Sequence, residues 1–331
     1  MHSINYKQLR SDAAASVQSF GRLATKLILI YAGVSAGLSL LLSVLNYGMD
    51  QILAGTSGLS DIGTITLIET IQTFLTYVQS IATPFWQMGY LFAVMQLARQ
   101  KSGDSILLLT GFCHFGAVLR TTFLRWAIYV SLMLVGAQIA SFVFMLTPAA
   151  KQLMQLTEEL VAGAETIDYA ALIENEAYMD AMKPAIPYMA VGALLLLIPL
   201  FYRMRMMDFA LMDAPEKGAF HAFAQSMRMT RKHCLAIFKL DLQLWWYYLL
   251  ELVCLALCSV DLLLPMLGIT LPMDAALAAF GFYAVGLLCQ LGLYVWQKNQ
   301  VSAAYVLLYD TIRQPVIPAP QPVPAKVPWK Y

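Results

Sequence analysis

Six long runs of apolar residues constrain this chain more than any other feature of its sequence. A helix needs roughly 20 apolar residues to cross the hydrocarbon core of a bilayer. Of all residues, 60% are hydrophobic and only 12% are charged, whereas a soluble domain usually has about 25% charged residues. The predicted spans are residues 27–47, 70–98, 126–150, 184–202, 242–260 and 275–297.

Helices are the expected form of these spans, because a bilayer offers no water to satisfy open backbone groups and the runs lack the alternation of a barrel. The sequence therefore predicts an all-α, polytopic membrane domain over residues 1–313. The tail, residues 314–331, holds six prolines and is predicted to be extended and disordered. It is interpreted either as an inert cytoplasmic tail or as a ligand for a proline-recognition module.

Lysine and arginine predict the orientation of the spans. If the N-terminus is cytoplasmic, only Lys151 and Lys183 of the 21 basic residues fall on the outer side. Cytoplasmic loops are the ones enriched in Lys and Arg, so both termini are predicted to be cytoplasmic in a multi-pass protein of the cell membrane. The net charge of +1 gives no reason to expect a nucleic-acid partner.

Two extramembrane segments are predicted to be helical. On the outer side, residues 151–183 contain seven acids and only two lysines, and are predicted to form a short acidic hairpin. This segment is interpreted either as a solvated loop or as a site for a protein partner or cation. On the inner side, residues 214–231 are predicted to form an amphipathic interfacial helix with Asp213 as its N-cap and with Phe220, Phe223 and Met227 turned towards apolar surroundings.

Three segments share the order of an interfacial helix followed by spans. Besides residues 214–231, the segment 105–115 precedes the third span, and Ser19-Phe20-Gly21-Arg22-Leu23 near the start resembles His114-Phe115-Gly116-Ala117-Val118. The sequence therefore also predicts three repeated units, each an interfacial helix that leads into a hairpin of two spans.

The region 202–250 resembles a known family. It contains Ser226-Met227-Arg228-Met229, then Phe238-Lys239-Leu240-Asp241-Leu242, then Trp245-Trp246-Tyr247-Tyr248. These strings resemble the bacterial integral membrane family called domain of unknown function 975, which is itself similar to the membrane portion of some glycerophosphodiester phosphodiesterases. The resemblance implies a bacterial cell-membrane protein. It implies no activity, because the family has none assigned.

Sequences typical of enzymes and cofactor sites are absent from the chain. There is no Walker A loop, no G-x-G-x-x-G after a strand, no H-E-x-x-H and no G-x-S-x-G. Cys254 and Cys258 lie four residues apart, but two thiols alone make a poor metal site. We therefore expect neither enzymatic activity nor a metal or cofactor.

Glu251 is the candidate site residue, because a charge near the middle of a span costs roughly 2.5–3.5 kcal/mol even on an insertion scale. No Lys or Arg is expected at its depth, so its predicted partners are the amides at a similar depth: Gln79, Gln138 and Gln290. The cluster is interpreted either as hydrogen bonding between helices or as a polar cavity used in translocation or lipid handling.

A second candidate site lies at the inner interface, where basic residues surround the start of the fifth span. Its members are Arg228, Arg231, Lys232, Lys239, Asp241 and Trp245. They are interpreted either as structural anchors, since Trp belongs at interfaces, or as contacts to anionic lipid headgroups.

Two functions are consistent with these patterns. The first is a non-enzymatic module or assembly partner in the membrane or envelope, with the bilayer and a protein at the acidic loop or the tail as partners. The second is a carrier or permease-like protein for a small solute or lipid, with its site around Glu251.

Overall fold

The structure, a computed structural model, describes residues 4–55, 62–101, 104–161, 175–260, 263 and 275–313. Within these residues the chain is helical almost throughout and has no strand, so the predicted all-α class is confirmed there. The Pro-rich tail and the middle of the predicted outer hairpin, residues 162–174, lie outside the described residues.

The α-helices differ greatly in length, from 4 to 37 residues. In chain order they are α1 Tyr6–Ser19, α2 Gly21–Gly55, α3 Ile62–Ala98, α4 Thr110–Cys113, α5 Phe115–Met145, α6 Pro148–Val161, α7 Glu176–Met182, α8 Ala185–Met204, α9 Met207–Asp213, α10 Gly218–Thr230, α11 Cys234–Gln243, α12 Trp245–Cys258, α13 Ala275–Leu293 and α14 Asn299–Arg313. Short 3-10 turns span Ser105–Leu109 and Pro215–Lys217, and a π-helical turn, Tyr294–Lys298, joins α13 to α14.

Four helical stretches of the described chain are long and apolar enough to cross a membrane. They are Gly21–Met49, Phe115–Met145, Ala177–Asp213 and Phe280–Arg313, and a fifth is reached if α11 and α12 together form one span. The second predicted span lies in α3, which is not among these four stretches. Length and composition therefore support a membrane protein with four to five such helices.

Two predicted span boundaries do not coincide with the ends of helices. The third span was expected to end at residue 150, but α5 ends at Met145 and a new helix begins at Pro148. Thr147 caps that helix, since its Oγ1 accepts the N–H of Ala150 at 3.4 Å, and proline is favoured in a first helical turn. The fifth span was expected to begin at residue 242, but the chain bends by 69° between α11 and α12.

The described residues of Met1–Leu119 and Met206–Tyr331 form one compact unit. Its centre is the short helix α9, in which Met207 and Leu211 are fully buried. Tyr309 of α14 is equally buried and stacks on Phe209, with ring centroids 5.7 Å apart. This core lies at the C-terminal ends of α3 and α14, where Arg99 and Arg313 make the ends basic. It holds the two helices in a fixed relative position.

The second unit is Arg120–Arg205. In it α5 and α8 pack through small residues, because an added Cβ on Gly136 would lie 2.7 Å from the Ala193 Cα and 2.8 Å from the Gly192 oxygen. Small residues let the backbones of two membrane helices approach closely. A small apolar cluster of Phe144, Ala150 and Ala185 joins α6 to the ends of both long helices.

The inner amphipathic segment differs from its prediction at its start. Asp213 does not cap it; Asp213 ends α9, and its carboxylate binds Arg99 and Arg313. Ala214 precedes the 3-10 turn without a side-chain cap. Helix α10 buries the small face formed by Ala219, Ala222, Ser226 and Thr230, whereas Phe220 is 77% exposed.

Candidate functional site

Glu251 lies on α12, half-buried, and its carboxylate accepts a hydrogen bond from the hydroxyl of Tyr294 at 3.2 Å. That hydroxyl in turn accepts from the amide Nε2 of Gln290 at 3.0 Å. Glu251 is therefore linked to Gln290 through Tyr294, and not by the direct contact that the sequence predicted. We call Glu251, Gln290, Tyr294 and Lys298 the Glu251 network.

The packing of α12 on α13 depends on Gly286. A Cβ at this position would meet the Cys258 sulfur at 2.6 Å and the Cys258 backbone nitrogen at 3.0 Å. Only glycine lets the two backbones approach this closely. The close approach keeps the carboxylate of α12 within reach of side chains near the end of α13.

Tyr294 and Lys298 lie at the two ends of the π-helical turn. Such turns are rare in proteins as a whole, and those that occur often lie at functional sites. The ammonium of Lys298 lies 3.7 Å from the ring centroid of Tyr294 and 5.5 Å from that of Tyr31. A cation over aromatic faces is stabilised by the negative faces of the rings, and Lys298 is also attracted electrostatically by Glu251.

This cation corrects the expectation that no Lys or Arg would lie near Glu251. Lys298 is one residue beyond the predicted end of the sixth span, a position that indicates only the orientation of the chain. Its long aliphatic stem allows the ammonium to lie far from its own Cα. The spacing of Gln290, Tyr294 and Lys298, four residues apart each time, is the sequence signal that could have identified the network.

An aromatic layer joins the network to α2 and α3. Tyr31 stacks on Tyr90 with ring centroids 4.3 Å apart, and the indole N–H of Trp86 donates to the Tyr31 carbonyl at 3.0 Å. The hydroxyl of Tyr90 donates to Asn299 Oδ1 at 2.8 Å, and Asn299 Nδ2 donates to the Ala24 carbonyl at 2.8 Å. These buried polar groups are thus satisfied by protein, as is usual inside folded proteins.

The other two predicted amides are placed elsewhere. Gln79 donates to the Ser39 hydroxyl at 3.2 Å, so it joins α3 to α2. Gln138 belongs to the second unit, where its side chain is exposed. Of the predicted mid-membrane cluster, the structure therefore connects only Glu251 and Gln290.

At the predicted interfacial site, Asp241 accepts a hydrogen bond from Tyr305, whose hydroxyl lies 2.5 Å from that of Tyr248. Asp241 thus joins α11 to α14. Trp245 is exposed, as are the basic side chains of the predicted site, namely Arg228, Arg231, Lys232 and Lys239. Asp241 therefore has a structural contact that holds α11 on α14, whereas the basic side chains are exposed.

A four-charge cluster that the sequence did not predict lies at the basic end of the same unit. Arg99 donates from Nε to Asp310 Oδ2 at 3.0 Å, from Nη2 to Asp310 Oδ1 at 2.6 Å and from Nη1 to Asp213 Oδ1 at 2.9 Å. Arg313 pairs with the second oxygen of Asp213, which also accepts from Tyr309. Hydrogen bonding to Asp310 raises the pKa of Arg99 further above its already basic value.

In the part of the chain that the structure describes, no group of three or more His, Cys, Asp or Glu side chains is arranged to hold a metal ion. Comparisons of the chain with protein-family models, with curated proteins and with solved structures found no match.

Proposed function

We propose that this chain is a non-enzymatic membrane module that acts by assembling with a partner in a bacterial cell membrane. The observation that supports this function is that the polar side chains of the Glu251 network bind within the protein. The hydroxyl of Tyr294 donates to the carboxylate of Glu251 and accepts from the amide of Gln290, and the ammonium of Lys298 lies over the ring of Tyr294. Polar groups satisfied in this way hold helices together.

The proposed topology has six spans with both termini cytoplasmic, with α3 as the second span and the bent pair α11–α12 as the fifth. Two helix breaks support the first two of the proposed repeats. Phe20 and His114 each separate a short helix from a longer one, with φ of −100° and −104°. The family resemblance of residues 202–250 supports a bacterial source, and the acidic outer segment and the tail are the proposed partner sites.

Water access to Glu251 tests the assembly function against transport. In a variant without native cysteines, Glu251→Cys and, separately, Tyr294→Cys are treated with a membrane-impermeant maleimide in vesicles of both orientations. We expect neither to be labelled. The matched control keeps only the native Cys113, which is exposed and should be labelled from the cytoplasmic face.

The alternative is a carrier for a small solute or lipid. The π-helical turn beside an ionisable pair favours it, since π-turns often accompany functional sites and ionisable residues inside membranes often mark transport paths. Labelling of both engineered cysteines from one face would show an aqueous path to the network. That result would contradict the assembly function and establish the carrier alternative as the better one.

A further inference from the structure

A groove separate from the Glu251 network lies between α1, the start of α12 and the start of α14. Its volume is about 310 Å³, and its polar lining consists of Lys7, Arg10, Ser11, Trp246, Gln297 and Gln300. In the sequence, Lys7 and Arg10 indicate only the orientation of the chain. The groove therefore brings together groups that no sequence motif connected.

Helical spacing builds both walls of the groove. Lys7, Arg10, Ser11 and Ala14 are spaced i, i+3, i+4 and i+7, so they share one face of α1. Gln297, Gln300, Val301 and Ala304 have the same spacing across the π-helical turn and α14. The buried face of α1, formed by Leu9, Ala13 and Ser16, is a different one, so the basic face is left to line the groove.

The groups in this lining match a phosphate. Arg presents a planar fork of N–H donors that binds phosphate oxygens in pairs, and Lys adds a compact positive charge. The two glutamine amides and the Ser11 hydroxyl supply further neutral donors. No carboxylate lines the groove, so its chemistry selects an anion.

The surroundings of the groove favour a lipid as the source of that phosphate. Trp246 lies 5.7 Å from Trp296, centroid to centroid, and Trp296 is 63% exposed. Tryptophan concentrates at the headgroup level of a membrane. Leu244 and Val301 complete the lining with apolar surface, which suits the glycerol and first methylene groups below a headgroup.

From these observations we propose that the groove binds the phosphate headgroup of an anionic phospholipid. Lys7 and Arg10 hold the phosphate, Gln297 and Gln300 orient it, and Trp246 packs on the glycerol region. This site is distinct from the exposed basic residues between Arg228 and Lys239 that the sequence proposed for the same class of ligand.

Lipid binding to the full chain tests the proposal. The parent protein is purified in a zwitterionic detergent, and binding of phosphatidylglycerol, phosphatidylcholine and glycerol 3-phosphate is followed by native mass spectrometry. We expect phosphatidylglycerol to bind well above phosphatidylcholine. The variant Lys7→Gln with Arg10→Gln should bind it about tenfold or more weakly, since each basic side chain near a membrane surface contributes to anionic-lipid attraction.

The control variant Lys101→Gln with Lys217→Gln removes the same charge at exposed positions outside the groove and should bind like the parent. Equal melting temperatures of all three proteins in zwitterionic detergent would show that the fold is kept. The proposal is overturned if the groove variant binds within twofold of the parent, or if the control loses as much affinity. If glycerol 3-phosphate binds as tightly as phosphatidylglycerol, the ligand is a soluble phosphate and the lipid assignment is wrong.

Discussion

Arg99 binds Asp310 through two hydrogen bonds, although the two positions are 211 apart in the chain. The third nitrogen of the same guanidinium binds Asp213 at 2.9 Å. One side chain therefore joins the end of α3, the end of α9 and the last turn of α14. Because α9 is the buried centre of this unit, the guanidinium holds the long helices against the core from the basic side.

Arg99→Lys is predicted to lower the stability of the folded protein. A lysine keeps the charge but cannot supply three directed N–H donors, and the lost bonds are of the charge-assisted kind, worth about 1.5–3 kcal/mol. Thermal unfolding in detergent should show a lower melting temperature. The matched control Arg22→Lys, at an exposed position of α2, should leave the melting temperature unchanged, and an equal effect of both substitutions would contradict the prediction.

Glu251 and Lys298 are predicted to be energetically coupled. Glu251→Gln keeps an acceptor for the Tyr294 hydroxyl but removes the negative charge, which leaves the ammonium of Lys298 without its opposite charge. Lys298→Gln does the reverse. Residues in one network show coupling of roughly 0.5–3 kcal/mol, so the double variant should be destabilised by less than the sum of the two single variants.

The control for this cycle combines Lys298→Gln with Glu69→Gln, which removes an exposed carboxylate from α3. Those effects should add within about 0.5 kcal/mol, as expected of independent sites. Chemical unfolding in mixed micelles supplies all the free energies. Additive effects of the substitutions at Glu251 and Lys298 would mean that the two side chains are not energetically coupled. That result would contradict the prediction.

The sequence identified groups whose burial is costly, and it missed partners that only folding brings together. Glu251 stood out because a carboxylate in an apolar run needs compensation, and Gln290 was found by its depth. Lys298 was missed because depth was counted from Cα positions, whereas the long side chain reaches back towards the rings of Tyr294 and Tyr31.

Asp213 shows a different limit. An Asp before Ala-Pro-Glu is a good N-cap by local rules. The same carboxylate can also bind a guanidinium, and in the folded chain Asp213 binds Arg99 and Arg313. Local rules cannot account for a partner that is 100 or more residues away in the sequence. The break at Thr147-Pro148, in contrast, carried a local signal that hydropathy alone overlooked.

Gly136→Ala is predicted to destabilise the second unit. The added methyl would lie 2.7 Å from the Ala193 Cα and 2.8 Å from the Gly192 oxygen, and backbone atoms cannot move aside as a flexible side chain can. The helices α5 and α8 must then separate, and overpacking of this kind typically costs about 1–3 kcal/mol.

The control is Gly33→Ala in α2, where a Cβ would meet nothing within 4 Å. There the substitution should be neutral or stabilising by up to about 1 kcal/mol, since alanine has the higher helix propensity. The melting temperature of Gly136→Ala should therefore be lower than that of the parent. The melting temperature of Gly33→Ala should be equal to that of the parent or higher. A larger loss for Gly33→Ala would contradict the close packing of α5 on α8.

The last prediction concerns orientation, and it rests on the distribution of basic residues. Glu158 and Lys217 both have exposed side chains, so a cysteine at either position can react wherever reagent reaches it. In a background without the five native cysteines, Glu158→Cys should be labelled on intact cells by a membrane-impermeant maleimide, because the acidic segment is predicted to be outside. Lys217→Cys should be labelled only after the membrane is permeabilised, which also confirms that its thiol is reactive. Labelling of Lys217→Cys on intact cells, with Glu158→Cys spared, would reverse the topology and would move the basic groove of Lys7 and Arg10 to the outer leaflet.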